Sequence, residues 1–417
     1  MLKQSPKAKV LITIIVALFA LQYRAFAQNL LPEKSVSPQA VSGSNEPDNP
    51  VYKPGEFVSQ NSVLTLYQIE LQSEIVTAYP ENNRMKCLVA IPKSANSPMP
   101  VVIAIHYWGT VDVENEKNLA KRLAAGGIAT VIIELPFHLS RTPAGFKSGE
   151  LAVQPDVRSI KRMMLQSSSD ISTVVDWIIS QKEFDGQKIG LVGSSLGGIV
   201  GSLAFATDSR ISAYASLLGG VDLTEMIWTS SRLVRQRDVL RRQGVTRASL
   251  KSDLEEVEPL YFLRKEDNRP VFVIGAKFDS VVSPKSYKAL HNATGNSQIL
   301  WLDTGHYGGF LVQSSVFRSI VKFFEATFTG EVFIPPGRLY APTIRLVAVS
   351  NAASGLQVGL GLDIWRNTSQ GDLFGSLIFT PTGVQGMFGA RVSEGLTLGF
   401  SILPRRTSVG AMWSFVL

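Results

Sequence analysis

One cysteine, Cys87, in 417 residues leaves no partner for an intrachain disulfide, so stability must come from the packed core. Histidine is almost as scarce, with His106, His138, His291 and His306 making up the whole set. No Cys/His cluster has metal-ligand spacing, and no glycine-rich loop is suited to phosphates; neither a metal nor another cofactor is expected. Strong positive charge is also missing once residues 1–27 are set aside. They read as a secretory signal peptide: Lys3, Lys7 and Lys9, an apolar stretch from Val10 to Leu21, then Ala25-Phe26-Ala27 before Gln28. Losing Lys3, Lys7, Lys9 and Arg24 lowers the formal net charge from +7 to +3, which gives no reason to expect a nucleic-acid partner. The apolar stretch is too short for a comfortable membrane span. The expected location is outside the cytoplasm of a bacterium: periplasm, cell surface or medium.

What the chain does have is Lys188-Ile189-Gly190-Leu191-Val192-Gly193-Ser194-Ser195-Leu196-Gly197-Gly198. An apolar strand runs into G-x-S-x-G and at once into a helix of small residues. The pattern places Ser195 at a sharp turn, its hydroxyl lifted towards the free N–H groups of a helix N-terminus. A serine hydroxyl is a weak nucleophile and needs a base. His306 follows the strand Gln298–Leu302 in a glycine-rich loop and is the candidate. The third member is an acid that fixes the imidazole tautomer. Asp279, just past the apolar run Pro270–Gly275, fits best; Asp303, Asp222 and Glu134 are the competitors. The strand Val101–Ile105 ends in His106-Tyr107-Trp108-Gly109, a setting for one oxyanion-hole N–H, the second being that of Leu196.

In these motifs and in their order, serine then acid then histidine, residues 60 to 330 resemble the α/β-hydrolase superfamily. The resemblance implies Ser195 as nucleophile, Asp279 as acid, His306 as base and an oxyanion hole from Leu196 with Trp108 or Tyr107. Tyr107 departs from the glycine usual at its position, which leaves those two donors open. Serine at the elbow fits esterases, lipases, thioesterases and serine peptidases, acting on a small-molecule or lipid ester in the first reading. A peptidase of the same fold, or a non-catalytic binding module on a hydrolase scaffold, are the alternatives.

Residues 28–58, rich in Pro, Ser, Asn and Gln, read as a flexible leader, and 59–330 as the hydrolase domain. Expected strands are Val63–Leu71, Glu74–Tyr79, Arg84–Ile91, Val101–Ile105, Ile128–Leu135, Ile211–Leu218, Pro270–Gly275 and Gln298–Leu302, besides the elbow strand. Expected helices are Glu116–Ala125, Ser169–Ser180 (capped from Ser167–Ser169) and Val312–Phe328. Apolar strands alternating with helices imply an α/β fold, a mostly parallel sheet covered on both faces. The stretch 219–268 is long enough for a cap. Its basic run (Arg232 to Lys251) reads as solvated helices, or else as an attractor for anions.

Residues 331–417 change character. Alternation of period two sets Leu356, Val358, Leu360, Leu362 and Ile364 against Gln357, Gly359, Gly361 and Asp363, and it recurs to the end. About six antiparallel strands result, with one apolar and one small or polar face. Either the apolar face packs on itself or on the hydrolase domain, or these are outer-membrane strands. In the second case, six are too few for a barrel without partner chains. The sequence does not indicate the oligomeric state.

Overall fold

The computed structural model describes residues 52–339, 343–351, 355–367, 373–393, 396–403 and 406–416. The signal peptide and residues 28–51 of the leader lie outside them. The described chain forms two compact units, 52–339 and 343–416.

The first is built on a ten-stranded sheet: β1 (Glu56–Gln60), β2 (Leu64–Gln72), β3 (Arg84–Pro92), β4 (Met99–Ile105), β5 (Ala129–Ile133), β6 (Phe184–Ser194), β7 (Ala213–Leu217), β8 (Val271–Ala276), β9 (Ser297–Leu302) and β10 (Arg338–Leu339). Their order is β1-β2-β3-β5-β4-β6-β7-β8-β9-β10. From β5 to β10 the pairs are parallel, and β1, β2 and β3 extend the sheet antiparallel. Val101–Ile105 and Val271–Ile274 are apolar throughout because both faces of a parallel sheet are covered. One core cluster joins α1 (Glu114–Ala125) and α8 (Gln313–Thr329) to the sheet. The other joins α2 (Val157–Ser180), α3 (Leu196–Thr207) and α7 (Pro284–Ala293) to its opposite face. Between β7 and β8, α4 (Leu223–Thr229), α5 (Val234–Arg242) and α6 (Arg247–Asp253) make the insertion expected as a cap.

Three local expectations change. Residues 74–79 form no strand, because Asn83 Oδ1 accepts the Thr77 N–H and hydroxyl (2.7 and 3.0 Å) and replaces ladder bonds with a side-chain turn. Helix α2 starts nearly three turns before Ser167–Ser169: Asp156 caps it by accepting the Ser159 N–H at 2.8 Å. Within the span read as a leader, the Tyr52 hydroxyl donates to Gln181 Oε1 (2.8 Å) and residues 56–60 form β1 of the sheet.

The second unit comprises β11 (Thr343–Asn351), β12 (Gly355–Asn367), β13 (Leu373–Thr380), β14 (Gly383–Ser393), β15 (Leu396–Leu403) and β16 (Arg406–Val416). Each strand pairs antiparallel with the next, and β16 pairs back onto β11, so six strands close the barrel without a partner chain. The apolar face does not pack on itself. Val358, Phe400 and Val409 are exposed, whereas Arg345, Asp363, Ser376, Gln385 and Ser401 are buried inside.

Candidate active site

Ser195 stands between β6 and α3 at φ 51°, ψ −110°, a strained positive-φ conformation that the surrounding packing must enforce. Its N–H donates to Leu217 O on β7 (2.8 Å), which ties the turn to the neighbouring strand. Two glycines make the turn possible. A Cβ on Gly193 would lie 2.2 Å from Gly197 O, and one on Gly197 would lie 2.6 Å from His106 O. The hydroxyl therefore emerges at the carboxyl end of the parallel strands, where open α/β sheets bind ligands.

His306 opens the 3-10 turn after β9, and its Nε2 is 3.0 Å from Ser195 Oγ. Its Nδ1 lies 2.7 Å from Asp279 Oδ2. Asp279 follows β8 and is held from every side: Oδ1 accepts the N–H groups of Val281 and Val282 (2.8 Å each), and Oδ2 accepts the Tyr287 hydroxyl (2.5 Å). Both His306 and Asp279 are buried. The carboxylate fixes the ring with hydrogen on Nδ1, leaving Nε2 free to accept from Ser195. The competing acids are engaged elsewhere. Asp303 binds Lys277 and Arg338, Asp222 caps α4, and Glu134 accepts from Ser140.

Leu196 is the first residue of α3, so its N–H is one of the unpaired donors of that helix N-terminus. Tyr107 and Trp108 both line the cavity that holds Ser195 and His306. Their loop is held by two histidines, His106 and His138, that no sequence motif links. His106 Nε2 accepts the Leu135 N–H (3.0 Å) and its Nδ1 donates to Tyr107 O (2.9 Å). His138 Nε2 accepts the Gly109 N–H (3.0 Å) and its Nδ1 donates to Pro136 O (2.9 Å). The Trp108 indole donates to Gly149 O (2.8 Å). Gly149, at φ +77°, admits no side chain, since a Cβ would sit 2.5 Å from His138 Nε2. No sequence signal marks His138, because its partner is a backbone group 29 residues away.

Both rings are neutral by geometry, since a proton on either Nε2 would face an N–H. Burial holds His138 down at about 4 and His106 at about 3, the latter helped by its neighbour His138. As pH falls below about 6.5, the unfolded chain takes up protons that the folded chain refuses, so stability declines towards pH 4. His138→Gln, which keeps an acceptor for Gly109, is expected to flatten the slope of unfolding free energy against pH by one proton between pH 6 and 4. Denaturant titrations at each pH measure it; an unchanged slope would refute the buried neutral imidazole.

Two cavities meet at Ser195. One, of about 100 Å³, is lined by Met163, Met164, Leu223, Met226 and Val282 among others. The second, of about 180 Å³, includes Leu217, Leu218, Phe310 and Phe317. Trp108 and Arg232 border both. The Arg232 guanidinium lies 4.5 Å from the Trp108 ring centre and donates to the Tyr307 hydroxyl (3.0 Å). Elsewhere in the basic run, Arg237 bonds Ser230 O and Arg241 lies over Trp228. These cations serve separate contacts of the cap. Among the described residues, neither cavity is lined by an ionisable acid or base other than Arg232, His306 and tyrosine.

A serine at a strand-to-helix elbow, on a mostly parallel sheet covered by helices on both faces, defines the α/β-hydrolase fold, and the first unit of this chain has that fold. Among families, the model for the X-Pro dipeptidyl-peptidases (S15 family) matches residues 81–269, a span that includes Ser195 and stops before Asp279 and His306. A Bacillus subtilis (strain 168) protein named as an esterase, YitV, is 25% identical over 177 residues, which is 42% of this chain and 62% of that relative. Acetyl xylan esterase 1 from Thermoanaerobacterium sp. JW/SL YS485 superposes with a TM-score of 0.52 at 16% identity, covering 66% of this chain and 87% of the other. The acetyl xylan esterase from Paenibacillus sp. R4 gives 0.52 at 18% identity, covering 65% and 87%. At such identities the two structures speak for the fold alone.

Proposed function

We propose that this chain is an exported serine hydrolase cleaving carboxylic esters through an acyl-enzyme. The observation that carries the reading is the continuous chain of contacts from Ser195 Oγ to His306 Nε2 and from His306 Nδ1 to Asp279. In the first half-reaction Ser195 attacks the acyl carbon as His306 takes its proton, and the N–H of Leu196 with that of Trp108 or Tyr107 binds the oxyanion. His306 then protonates the departing alcohol. In the second, it draws a proton from water, which attacks the acyl carbon and frees the acid and Ser195. Export rests on residues 1–27, which carry the signal-peptide pattern.

Two mainly apolar chambers on either side of the nucleophile suit an ester with an apolar group on each side of the carbonyl. A cavity of about 150 Å³ holds a benzene-sized group. Short acyl chains should therefore react best. In a p-nitrophenyl ester series from acetate to palmitate, we expect kcat/KM to peak at or below hexanoate and to fall at least tenfold by palmitate. A maximum at palmitate would contradict the chamber assignment.

The family match favours one second reading, a peptidase that removes dipeptides. Such an enzyme must recognise a free α-ammonium group, for which a carboxylate is the natural partner. None lines either chamber among the described residues, and Arg232 would repel the ammonium. Ester hydrolysis is the better supported reading.

A further inference from the structure

The barrel of β11 to β16 turns an apolar face outward around a mixed interior, in which Val347, Val349, Ile378, Met387 and Met412 cluster beside polar groups. Alternate residues of every strand point outward, and those described are apolar or small in all six: Leu346, Val358, Phe379, Phe388, Phe400 and Val409 represent one strand each. Five of these six are exposed, Val409 to 72%. The polar side chains described in the barrel's lumen are hydrogen-bonded there. Arg345 Nε donates to Asp363 Oδ2 (2.7 Å), Ser376 Oγ donates to Asp363 Oδ1 (2.5 Å), and Ser401 Oγ donates to Gln385 Oε1 (2.7 Å). Inward glycines make so narrow a barrel possible. Gly389, Gly399 and Gly410 share one register row across three strands, and a Cβ on Gly399 would lie 2.5 Å from Gly389 Cα.

We propose that this barrel inserts into the hydrocarbon of a lipid bilayer. Three observations select lipid over another occupant. The apolar surface runs round the whole circumference, so a protein docked on one side would leave most of it wet. The barrel is closed, leaving no strand edge unpaired, as hydrocarbon requires of any spanning backbone. The strands are 8 to 13 residues long, against about 9–11 needed by a tilted strand to span a bilayer. Six strands are one hairpin fewer than in the smallest bacterial membrane barrels, which have about eight. Here the glycine row narrows the lumen, and the buried Val347, Val349, Ile378, Met387 and Met412 fill it together with the Arg345–Asp363 pair, making an anchor with a packed interior. This inference is independent of the chemistry at Ser195.

The test uses the full chain and vesicles of phosphatidylcholine, or of phosphatidylethanolamine with phosphatidylglycerol. No charge is described on the outward face, so we expect the chain to float with both vesicle types and to stay bound in 1 M salt. Val358→Asp with Phe400→Asp should reduce the floated fraction at least tenfold. Because that variant can misfold, a second readout uses the otherwise intact barrel. An environment-sensitive dye on Val409→Cys should shift to the blue when vesicles are added, and the same dye on Lys121→Cys, on helix α1, should not. A chain that stays at the bottom of the gradient with the Val409 dye unmoved would overturn the proposal. So would a dye already shifted without lipid on a chain that elutes as a dimer, which would assign the face to a second copy.

Discussion

Ser195→Ala is expected to lower kcat for a short p-nitrophenyl ester by about a million-fold, leaving only what binding and the oxyanion donors supply. The size of the effect follows from the loss of the covalent route. Without Oγ, His306 has no proton to take from a nucleophile held at 3.0 Å, and water must enter a chamber lined by apolar side chains. The fold should be untouched, because the Ser195 backbone makes the structural bonds, its N–H to Leu217 O and its carbonyl to Ile199 N. Steady-state kinetics beside circular dichroism separates the two effects. A variant that kept more than a thousandth of the activity would remove Ser195 from the nucleophile's role.

Asp279→Asn is expected to lower kcat by about 10⁴-fold with little change in KM. The direction depends on which way the amide turns. The N–H groups of Val281 and Val282 both point at Oδ1 and demand an oxygen there. The new NH₂ is therefore forced into the place of Oδ2, against His306 Nδ1. The ring must then accept at Nδ1 and carry its hydrogen on Nε2, facing Ser195 Oγ, so the base has no lone pair for the serine proton. Tyr287→Phe, which removes only the 2.5 Å bond to Oδ2, should cost about 10–100-fold as a positioning effect. Pre-steady-state measurement of acylation distinguishes the pair from a simple folding defect. An Asp279→Asn enzyme with near-normal acylation would show that the carboxylate does not set the tautomer.

Much of this architecture was legible in the residues because its signals are local. The elbow needs small neighbours within five positions, and Gly193 and Gly197 provide them. The buried strands advertise themselves as unbroken apolar runs, and the β11–β16 strands by strict alternation. What escaped the reading depends on contacts distant in sequence. Ser167–Ser169 looks like a helix start, yet it lies inside α2, where Asp170 meets Arg141 in a fully buried pair at 2.7 Å. Only the fold puts those two charges together. His138 likewise gains its role from Gly109, and Tyr287 from Asp279. Closure of the barrel rests on β16 returning to β11, a pairing with no local signature. The alternation revealed a two-faced sheet but not which face turns outward. That follows from the narrow lumen of six strands, filled among the described residues by glycine, serine, the Arg345–Asp363 pair and the cluster of Val347, Val349, Ile378, Met387 and Met412.

The central claim, that His306 and Asp279 activate Ser195 as a nucleophile, is tested most directly by trapping the nucleophile itself. A fluorophosphonate should modify the protein stoichiometrically, and peptide mass spectrometry should place the phosphonyl group on Ser195. His306→Ala should slow that labelling by at least a thousandfold. Labelling of another residue, or equal rates with and without the His306 imidazole, would contradict the account.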